Sequence, residues 1–345
     1  MSPMRKRVVR FDVWIDPAFD TRLRAEPDID LAVGVRAGPE ADLAALIKSA
    51  HVLHASPARD ELGQRWHVNT ALLRQCPNLI CASSAGAGYD TINVADCTAA
   101  GVAVVNQAGG NAQSVAELAI GLMLAVSRKI TMSDRWLRTR RGFSREDLMG
   151  RELRGQRLGV VGIGHTGSKT AALARAFGMT VAAFDPLVAP DTIRDRGAEP
   201  VDLATLLKTS DIVSLHCPLD DTTRGLINTA AFAAMKPGAM FISTARGGIH
   251  DERALYSALT SGRIAGAGLD VWSPEPPPLN NPLLTLDTVV ATYHTAGVTV
   301  EARRNMAAIA ADQIVQILKG ERPPRLLNPE IWPETLKRLR TLSAH

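Results

Sequence analysis

A glycine-rich segment in the middle of this 345-residue chain limits the fold more than any other feature. An apolar run leads directly into Gly162-Ile-Gly164-His-Thr-Gly167, an alanine-rich stretch typical of a helix follows, and a second apolar run ends at Asp185. The pattern G-x-G-x-x-G allows a tight turn and lets the backbone approach a pyrophosphate at a helix N-terminus. An acidic residue about 20 positions further on binds the adenosine ribose hydroxyls. The segment predicts a Rossmann-type dinucleotide-binding unit; a glycine turn in an unrelated α/β protein is the weaker alternative.

Three chemically active side chains lie far apart in the sequence, but each follows a predicted strand: Arg246, Glu275 and His294. In an open parallel sheet, ligands bind beyond the carboxyl ends of the strands, so we expect the three side chains to share one crevice. A nicotinamide cofactor supplies hydride, and the protein must then bind the substrate and move one proton. His294 is the candidate acid–base group, with Glu275 orienting its ring and Arg246 offering a donor fork for a carboxylate. This set predicts interconversion of a 2-oxo acid and a 2-hydroxy acid.

Taken singly, each of these residues also fits a plainer interpretation. His294 fits a core or surface histidine, Arg246 a strand-end cation, and Glu275 a solvated charge in a proline-rich loop. It is their joint position after strands downstream of the glycine motif that favours catalysis. His216 also ends a predicted strand, and two roles stay open for it: lining the cofactor crevice or packing in the core.

Composition and charge exclude several classes of protein. Hydrophobic residues make up 46% and charged residues 21% of the chain, which is typical of packed domains rather than disorder. The formal net charge is only +4, and residues 135–157 hold eight arginines. Acidic residues interrupt that cluster, so a solvated or subunit-contact surface is favoured over nucleic-acid binding.

The cysteines and the N-terminal residues indicate a cytoplasmic protein. The four cysteines show neither C-x-x-C spacing nor a metal-ligand pattern, so we expect reduced thiols and no metal site. The basic N-terminal residues are followed by aspartates before any apolar run develops, which does not fit a secretory signal. No uncharged apolar stretch is long enough to span a membrane, and we expect no membrane partner.

Alternating strand and helix patterns extend along most of the chain. A capping-box pattern at Ser114 predicts a long helix to about residue 128, after a glycine-rich break at residues 107–110. An apolar stripe predicts a further helix over residues 299–319, which we expect to return to the first unit. The other predicted strands cover residues 8–15, 51–55, 79–83, 102–106, 212–216, 239–243, 264–269 and 289–292, with a helix over 40–50.

We therefore predict an α/β fold of two Rossmann-like, doubly wound parallel-sheet domains with a cleft between them. Residues 1–108 and 299–345 would form a discontinuous substrate (catalytic) domain. Residues 109–298 would form the NAD-binding Rossmann domain.

Ordered motifs between residues 79 and 327 resemble the D-isomer-specific 2-hydroxyacid dehydrogenases, in particular glyoxylate and hydroxypyruvate reductases. The motifs are Gly86-Ala-Gly-Tyr-Asp90, Asn111-Ala-Gln-Ser-Val-Ala-Glu117, Gly162-Ile-Gly-His-Thr-Gly167, Leu215-His-Cys-Pro-Leu219, Ser243-Thr-Ala-Arg-Gly247, Gly268-Leu-Asp-Val271, Pro274-Glu-Pro276 and His294-Thr-Ala-Gly297.

The resemblance implies roles for individual residues. Arg246, Glu275 and His294 would be catalytic, and the backbone of Ala87 and Gly88 would hold the substrate carboxylate together with Arg246. The implied cofactor contacts are Gly162, Gly164, His165, Thr166, Gly167, Asp185, Cys217, Thr244, Ala245, Asp270, His294 and Gly297. Family members are typically dimers, which implies a homodimer joined through the long helix and the arginine-rich arm after Asn111.

The chain also departs from the family pattern. His165 and Thr166 stand where Arg-Ile is frequent, and Tyr293 stands where a proline commonly precedes the catalytic histidine. The segment of residues 57–68 is longer than the corresponding segment of most family members. In the family this region contributes to substrate choice, so the resemblance does not imply a particular substrate. Glu275 stands where formate dehydrogenases have glutamine, which argues against formate as the substrate.

The leading hypothesis is an NAD-dependent reductase of a small 2-oxo acid such as glyoxylate or hydroxypyruvate. Asp185 favours NAD over NADP because its carboxylate would repel a 2′-phosphate and no arginine follows at once. We expect no regulatory C-terminal domain of the kind that some phosphoglycerate dehydrogenases carry. The alternative is an NAD-sensing corepressor or binding protein on the same scaffold, which would bind NADH without consuming it.

Overall fold

The structure, a computed structural model, describes residues 5–59 and 61–343. Residues 1–4 and 344–345, at the two ends of the predicted substrate domain, lie outside the described residues, as does residue 60 within segment 57–68. The chain divides into two compact units. One consists of the residues up to Asn111 and from Thr299 onward, and the other of Ala112–Val298. No helix among the described residues combines the length and the apolar character needed to cross a bilayer.

The described residues form twelve strands. They are β1 (Lys6–Phe11), β2 (Ile29–Gly34), β3 (Val52–Ala55), β4 (Cys81–Ser84), β5 (Ala103–Val105), β6 (Arg157–Val161), β7 (Thr180–Phe184), β8 (Glu199–Pro200), β9 (Ile212–Leu215), β10 (Ala239–Ser243), β11 (Ile264–Leu269) and β12 (Val289–Ala291).

Thirteen α-helices alternate with these strands in the described chain, besides short 3-10 turns. They are α1 (Ala18–Arg24), α2 (Glu40–Lys48), α3 (Thr70–Leu73), α4 (Val94–Ala99), α5 (Ala112–Ser127), α6 (Ile130–Thr139), α7 (His165–Ala176), α8 (Pro190–Asp195), α9 (Leu203–Thr209), α10 (Thr229–Ala234), α11 (Glu252–Thr260), α12 (Val300–Leu318) and α13 (Trp332–Ser343).

The first unit is built on a five-stranded parallel sheet in the order β2-β1-β3-β4-β5, the order of flavodoxin-like folds. Every residue of β3, β4 and β5 is buried, as expected for strands covered on both faces. One face packs against α1 and α12 through residues such as Phe19 and Ile314, and the other packs against α2 through Ile47. The long helix after Thr299 therefore covers the N-terminal sheet.

The second unit is built on a seven-stranded parallel sheet in the order β12-β11-β10-β9-β6-β7-β8. With β6 counted as the first strand, this is the Rossmann order extended by one strand, and the order reverses between β6 and β9. Residues of α5 and α7 cover one face, and residues of α9, α10 and α11 cover the other. Both units are parallel-sheet α/β domains, which confirms the predicted fold class.

Several predicted element bounds change in the structure. The strand predicted over residues 8–15 is wrong at its end, because β1 stops at Phe11 and the Asp12 carboxylate instead accepts hydrogen bonds from Arg36. The capping-box start at Ser114 is also wrong, since α5 begins two residues earlier. The helix predicted over residues 299–319 is confirmed, with the Thr299 hydroxyl accepting from the Ala302 amide at 3.1 Å.

Candidate active site

Two of the three predicted catalytic side chains are in direct contact. The Nδ1 atom of His294 lies 2.8 Å from Oε2 of Glu275, and Oε1 of Glu275 accepts the Trp272 amide at 2.9 Å. Both carboxylate oxygens are thereby engaged, which holds the histidine ring in one orientation. The side chains retain 39% (His294) and 29% (Glu275) of their exposure, so the pair is partly accessible, as proton transfer to a bound substrate requires.

The turn that carries His294 is held by a buried carboxylate. His294 has a φ of 47°, in the left-handed region that non-glycine residues rarely adopt. Asp270 is fully buried, and its carbonyl oxygen accepts the His294 amide at 2.7 Å. Its carboxylate accepts the amides of Thr295 and Ala296, each at 2.9 Å, and the Thr292 hydroxyl at 2.6 Å. These bonds stabilise a backbone conformation that would otherwise cost roughly 1–3 kcal/mol.

Arg246 lies three residues beyond β10 and acts on Glu275 through its charge. Its guanidinium donates to the Ala245 carbonyl at 2.7 Å. Burial by itself would raise the pKa of Glu275, but the hydrogen bond and charge of His294, the Trp272 amide and the charge of Arg246 hold that pKa below its usual value of 4.5. The structure thus connects all three predicted residues, and Glu275 is ionised at neutral pH.

The lowered pKa of Glu275 predicts a pH-dependent contribution to stability. A carboxylate whose pKa is lower in the folded than in the unfolded protein stabilises the fold above the unfolded pKa. That contribution disappears as the pH falls below about 4.5 and through the folded value. We expect Glu275→Gln to lower the free energy of unfolding at pH 7 and to do so less at pH 3. Urea unfolding at both pH values measures the difference, and an equal loss at both would contradict the assignment.

A second carboxylate supports the loop of Glu275, and the sequence analysis missed it. Glu252, the first residue of α11, accepts the Ser273 amide at 2.7 Å and the Asn281 side chain at 2.9 Å. The buried Trp272 ring donates to the Thr292 carbonyl at 3.0 Å, which links this loop to the turn of His294. No motif marks Glu252, because an acidic residue in the first turn of a helix is common on electrostatic grounds alone.

The glycine motif has the geometry that its spacing predicts. Gly162 has a φ of 89°, and a Cβ there would lie 2.7 Å from the Cys217 amide nitrogen. A Cβ on Gly167 would lie 2.1 Å from the Gly162 carbonyl oxygen, whereas one on Gly164 would meet nothing within 4 Å. At the first and third glycines a side chain would clash with neighbouring backbone, so only glycine fits there. At the second, Gly164, the missing side chain leaves the loop open to a ligand. α7 begins next, at His165, with no side-chain cap on its first amides.

Asp185 lies directly after β7 and contacts the glycine turn. One oxygen of its carboxylate accepts the Ile163 amide at 3.0 Å, and the other accepts the Leu187 amide at 3.0 Å. The carboxylate is thus anchored next to the loop while each oxygen keeps a further lone pair. Those lone pairs suit the hydroxyls of a ribose.

The other predicted cofactor residues lie at neighbouring strand ends. Burial lowers the pKa of His216 to about 4, and its Nε2 lies 2.9 Å from the Ser214 hydroxyl, so the ring is neutral. Burial raises the pKa of Cys217 to about 11, which keeps the thiol protonated. Thr244 and Ala245, after β10, are buried, and Gly297, in the turn after His294, is half-buried.

The predicted substrate residues Ala87 and Gly88 lie in the turn after β4 of the first unit. The Ala87 carbonyl accepts the Asn106 side chain at 2.8 Å, and the Gly88 carbonyl accepts the Ser84 hydroxyl at 2.5 Å. Arg59 donates to the Asp90 carbonyl at 3.2 Å and so places a cation next to the same turn.

The arginine-rich segment is a structured surface rather than a free basic patch. Arg135 and Arg140 both pair with Asp287, and Arg140 also stacks on the Trp136 ring with its guanidinium carbon 4.7 Å from the ring centroid. Arg138 and Arg157 form further ion pairs. Four of the eight arginines are therefore partly neutralised, which weakens an interpretation as a nucleic-acid surface.

Residues 120–296 match the family model described as "D-isomer specific 2-hydroxyacid dehydrogenase, NAD binding domain". A D-3-phosphoglycerate dehydrogenase of Archaeoglobus fulgidus is 43% identical over 253 residues, which cover 73% of this chain and 48% of the relative. The chain thus spans about half the length of that protein.

Other relatives match over most of their length. A hydroxypyruvate reductase of Thermotoga maritima is 42% identical over 253 residues, which cover 73% of this chain and 81% of the relative. The crystal structure of a glyoxylate reductase from Paecilomyes thermophila superposes with a TM-score of 0.82 at 26% identity, covering 95% of this chain and 99% of that one. With the matching family model and the His294–Glu275 pair, these similarities show that the chain belongs to the D-isomer-specific 2-hydroxyacid dehydrogenase family.

Proposed function

We propose that this protein is an NAD-dependent oxidoreductase that interconverts a small 2-oxo acid and its D-2-hydroxy acid. The observation that carries the proposal is the 2.8 Å contact between His294 and Glu275, with the charge of Arg246 acting on the same carboxylate. The contact uses Nδ1 and leaves Nε2 for the substrate. A proton donor with a fixed ring, next to a cation and downstream of a dinucleotide motif, fits reduction of a carbonyl group next to a carboxylate.

In this proposal each site residue has a separate role in the reaction. The nicotinamide cofactor, when bound, supplies the hydride that adds to C2 of the 2-oxo acid. His294 donates its Nε2 proton to the carbonyl oxygen, and the Glu275 carboxylate stabilises the imidazolium before that transfer. Arg246 is proposed to bind the substrate carboxylate and to polarise the carbonyl, and the amides of Ala87 and Gly88 are proposed as further donors to the carboxylate. Oxidation of the hydroxy acid follows the same path in reverse.

The proposed cofactor site follows the glycine loop and the neighbouring strand ends. Gly162, Gly164, His165, Thr166 and Gly167 would hold the pyrophosphate, in line with the open face at Gly164. Further contacts are proposed from Asp185, Cys217, Thr244, Ala245, Asp270, His294 and Gly297. In this proposal residues 109–298 form the NAD domain, and residues 1–108 with 299–345 form the substrate domain.

Asp185 is proposed to select NAD over NADP. The Asp185→Ala substitution removes a charge that would repel a 2′-phosphate, and it removes an acceptor for the ribose hydroxyls. We therefore expect the preference for NAD over NADP to fall about tenfold to a hundredfold. Asp185→Asn is the matched control, because asparagine still has an oxygen that accepts the Ile163 amide but carries no charge. The ratio of kcat/KM for NADH and NADPH measures the change. A ratio that stays the same in both variants would refute the ribose assignment.

The activity is tested by following NADH absorbance while a panel of 2-oxo acids is added. We expect glyoxylate or hydroxypyruvate to be reduced, because the relatives that match over most of their length include reductases with those names. Tight NADH binding without turnover of any acid would contradict the proposal and favour a corepressor or binding protein. No similarity reported above favours that alternative.

Assembly and compartment are proposed on separate grounds. We propose a homodimer joined through α5 and the arm that follows Asn111, because Ile130, Leu137 and Met149 expose 53%, 65% and 68% of their surface there. Sedimentation equilibrium tests this, and a monomer at micromolar concentration would contradict it. We also propose a cytoplasmic location, which the four free thiols support because such thiols persist in reducing compartments.

A further inference from the structure

The turn that carries Ala87 and Gly88 is fixed through its carbonyl groups. Three consecutive carbonyl oxygens, those of residues 86–88, accept hydrogen bonds from inside the unit. The donors are, in that order, the Gln107 amide at 2.9 Å, the Asn106 side chain at 2.8 Å and the Ser84 hydroxyl at 2.5 Å. Peptide units are planar and trans, so each bound carbonyl directs the next residue's N–H the opposite way.

The N–H groups of residues 87, 88 and 89 are therefore directed away from the three donors that bind the preceding carbonyl oxygens. Within the described chain, none of these three amides donates to a protein acceptor. Successive backbone N–H groups that point the same way form a concave site for an anion. A carboxylate has two oxygens for such donors.

A network of buried amide side chains supports the turn. Gln107 is fully buried, and its side chain donates to the Ser84 carbonyl at 2.6 Å. Gln313, in α12, is 2% exposed and donates to the Asn106 carbonyl and to the Gln107 side chain, each at 3.0 Å. Its own oxygen accepts the Arg325 amide at 3.1 Å. The network therefore runs without a break from α12 to the turn, and connected buried networks of this kind fix one geometry.

We infer that Asn106, Gln107 and Gln313 are positioning residues that aim the amides of residues 87–89 at the carboxylate of the substrate. The inference rests on the proposed function, which supplies the 2-oxo acid. Asn106 has the most direct part, because its side chain alone fixes the peptide between Ala87 and Gly88. Glycines on both sides of Ala87 would otherwise leave that peptide free to rotate.

Asn328 offers a matched control for Asn106. It is 1% exposed, compared with 5% for Asn106, and it bonds to the backbone of the same strand, β5, and of the residue before it. Its oxygen accepts the Val104 amide at 2.9 Å, and its nitrogen donates to Thr98 and to the Val102 carbonyl, each at 3.0 Å. Both asparagines are thus buried and hydrogen-bonded through the oxygen and the nitrogen of their side chains, but only Asn106 bonds to the turn.

The kinetic test compares Asn106→Ala with Asn328→Ala. Loss of an interaction with a charged group weakens binding by about tenfold to a hundredfold, so we expect KM for the 2-oxo acid to rise by that factor in Asn106→Ala. The kcat and the NADH dissociation constant should change far less, because His294 and the glycine loop are untouched. Asn328→Ala should lower the melting temperature without raising KM. Equal KM increases in both variants, or none in Asn106→Ala, would overturn the inference while leaving the proposed function intact.

A binding measurement separates this inference from the activity. Oxamate carries a carboxylate but resists reduction, and its binding to the NADH-saturated protein can be followed by calorimetry. We expect the wild-type protein to bind oxamate and Asn106→Ala to bind it about tenfold to a hundredfold more weakly. This result would support the positioning role even if no 2-oxo acid were reduced. No binding by the wild-type protein, or equal binding by both proteins, would overturn it.

Discussion

Replacing His294 with glutamine is expected to lower kcat by about 10²–10⁴-fold while leaving the NADH dissociation constant nearly unchanged. Glutamine can still donate a hydrogen bond, but it cannot deliver a proton to the carbonyl oxygen. Its side chain is also similar in length, so the turn held by Asp270 should persist. Stopped-flow measurement of a single turnover with saturating NADH measures the loss in the chemical step.

The double variant provides the control for this prediction. In the proposed mechanism Glu275 acts on the substrate only through His294, so adding Glu275→Gln to His294→Gln should reduce kcat little further. Glu275→Gln alone should cause a substantial loss. Fully additive losses would show that Glu275 acts independently, and full activity of His294→Gln would rule out its acid–base role.

Arg246→Lys is expected to lower kcat/KM for the 2-oxo acid by about 10²–10³-fold, although the positive charge is retained. A lysine ammonium cannot reproduce the planar donor fork that binds a carboxylate with two parallel hydrogen bonds. Steady-state kinetics over a range of acid concentrations gives this value. The KM should rise and NADH binding should persist.

Arg263→Lys is the matched control for Arg246→Lys. The Arg263 guanidinium also donates to backbone carbonyls, those of Ala233 and Met235, but it precedes β11 at the opposite end of the sheet. We expect that variant to keep kcat/KM near the wild-type value, with a lower melting temperature. An equal loss of activity in the two variants would indicate general destabilisation rather than a role of Arg246 in substrate binding.

The helices and strands that could be predicted are those whose ends and faces are marked by neighbouring residues in the sequence. The helix after Thr299 has a capping hydroxyl, an apolar stripe and Gly320 as a stop, so its bounds were predicted within one residue. The capping-box pattern at Ser114 is equally local, but α5 begins at Ala112, two residues before it. The edge strand β2 was missed because its sequence does not alternate between apolar and polar residues, and only its two end residues, Ile29 and Gly34, are buried.

In the candidate site, too, the residues with a local sequence signal could be predicted and those that depend on distant contacts could not. Arg246, Glu275 and His294 could be proposed from the sequence because each carries a chemically active group and comes after a strand of the sheet. The role of Asp270 in holding residues 292–296 depends on contacts across more than 20 positions, and the sequence spacing does not reveal them. Glu252 and the buried amides around Asn106 were missed for the same reason, since their functions arise from packing rather than from a motif.

The most direct test of the central claim is a reaction with NADH deuterated at the transferable position of the nicotinamide ring. Hydroxypyruvate is a suitable substrate because its reduction product is chiral. The account predicts D-glycerate with one deuterium at C2, formed in proportion to the NADH consumed. Formation of the L isomer, a product without deuterium, or NADH binding without any product would contradict it.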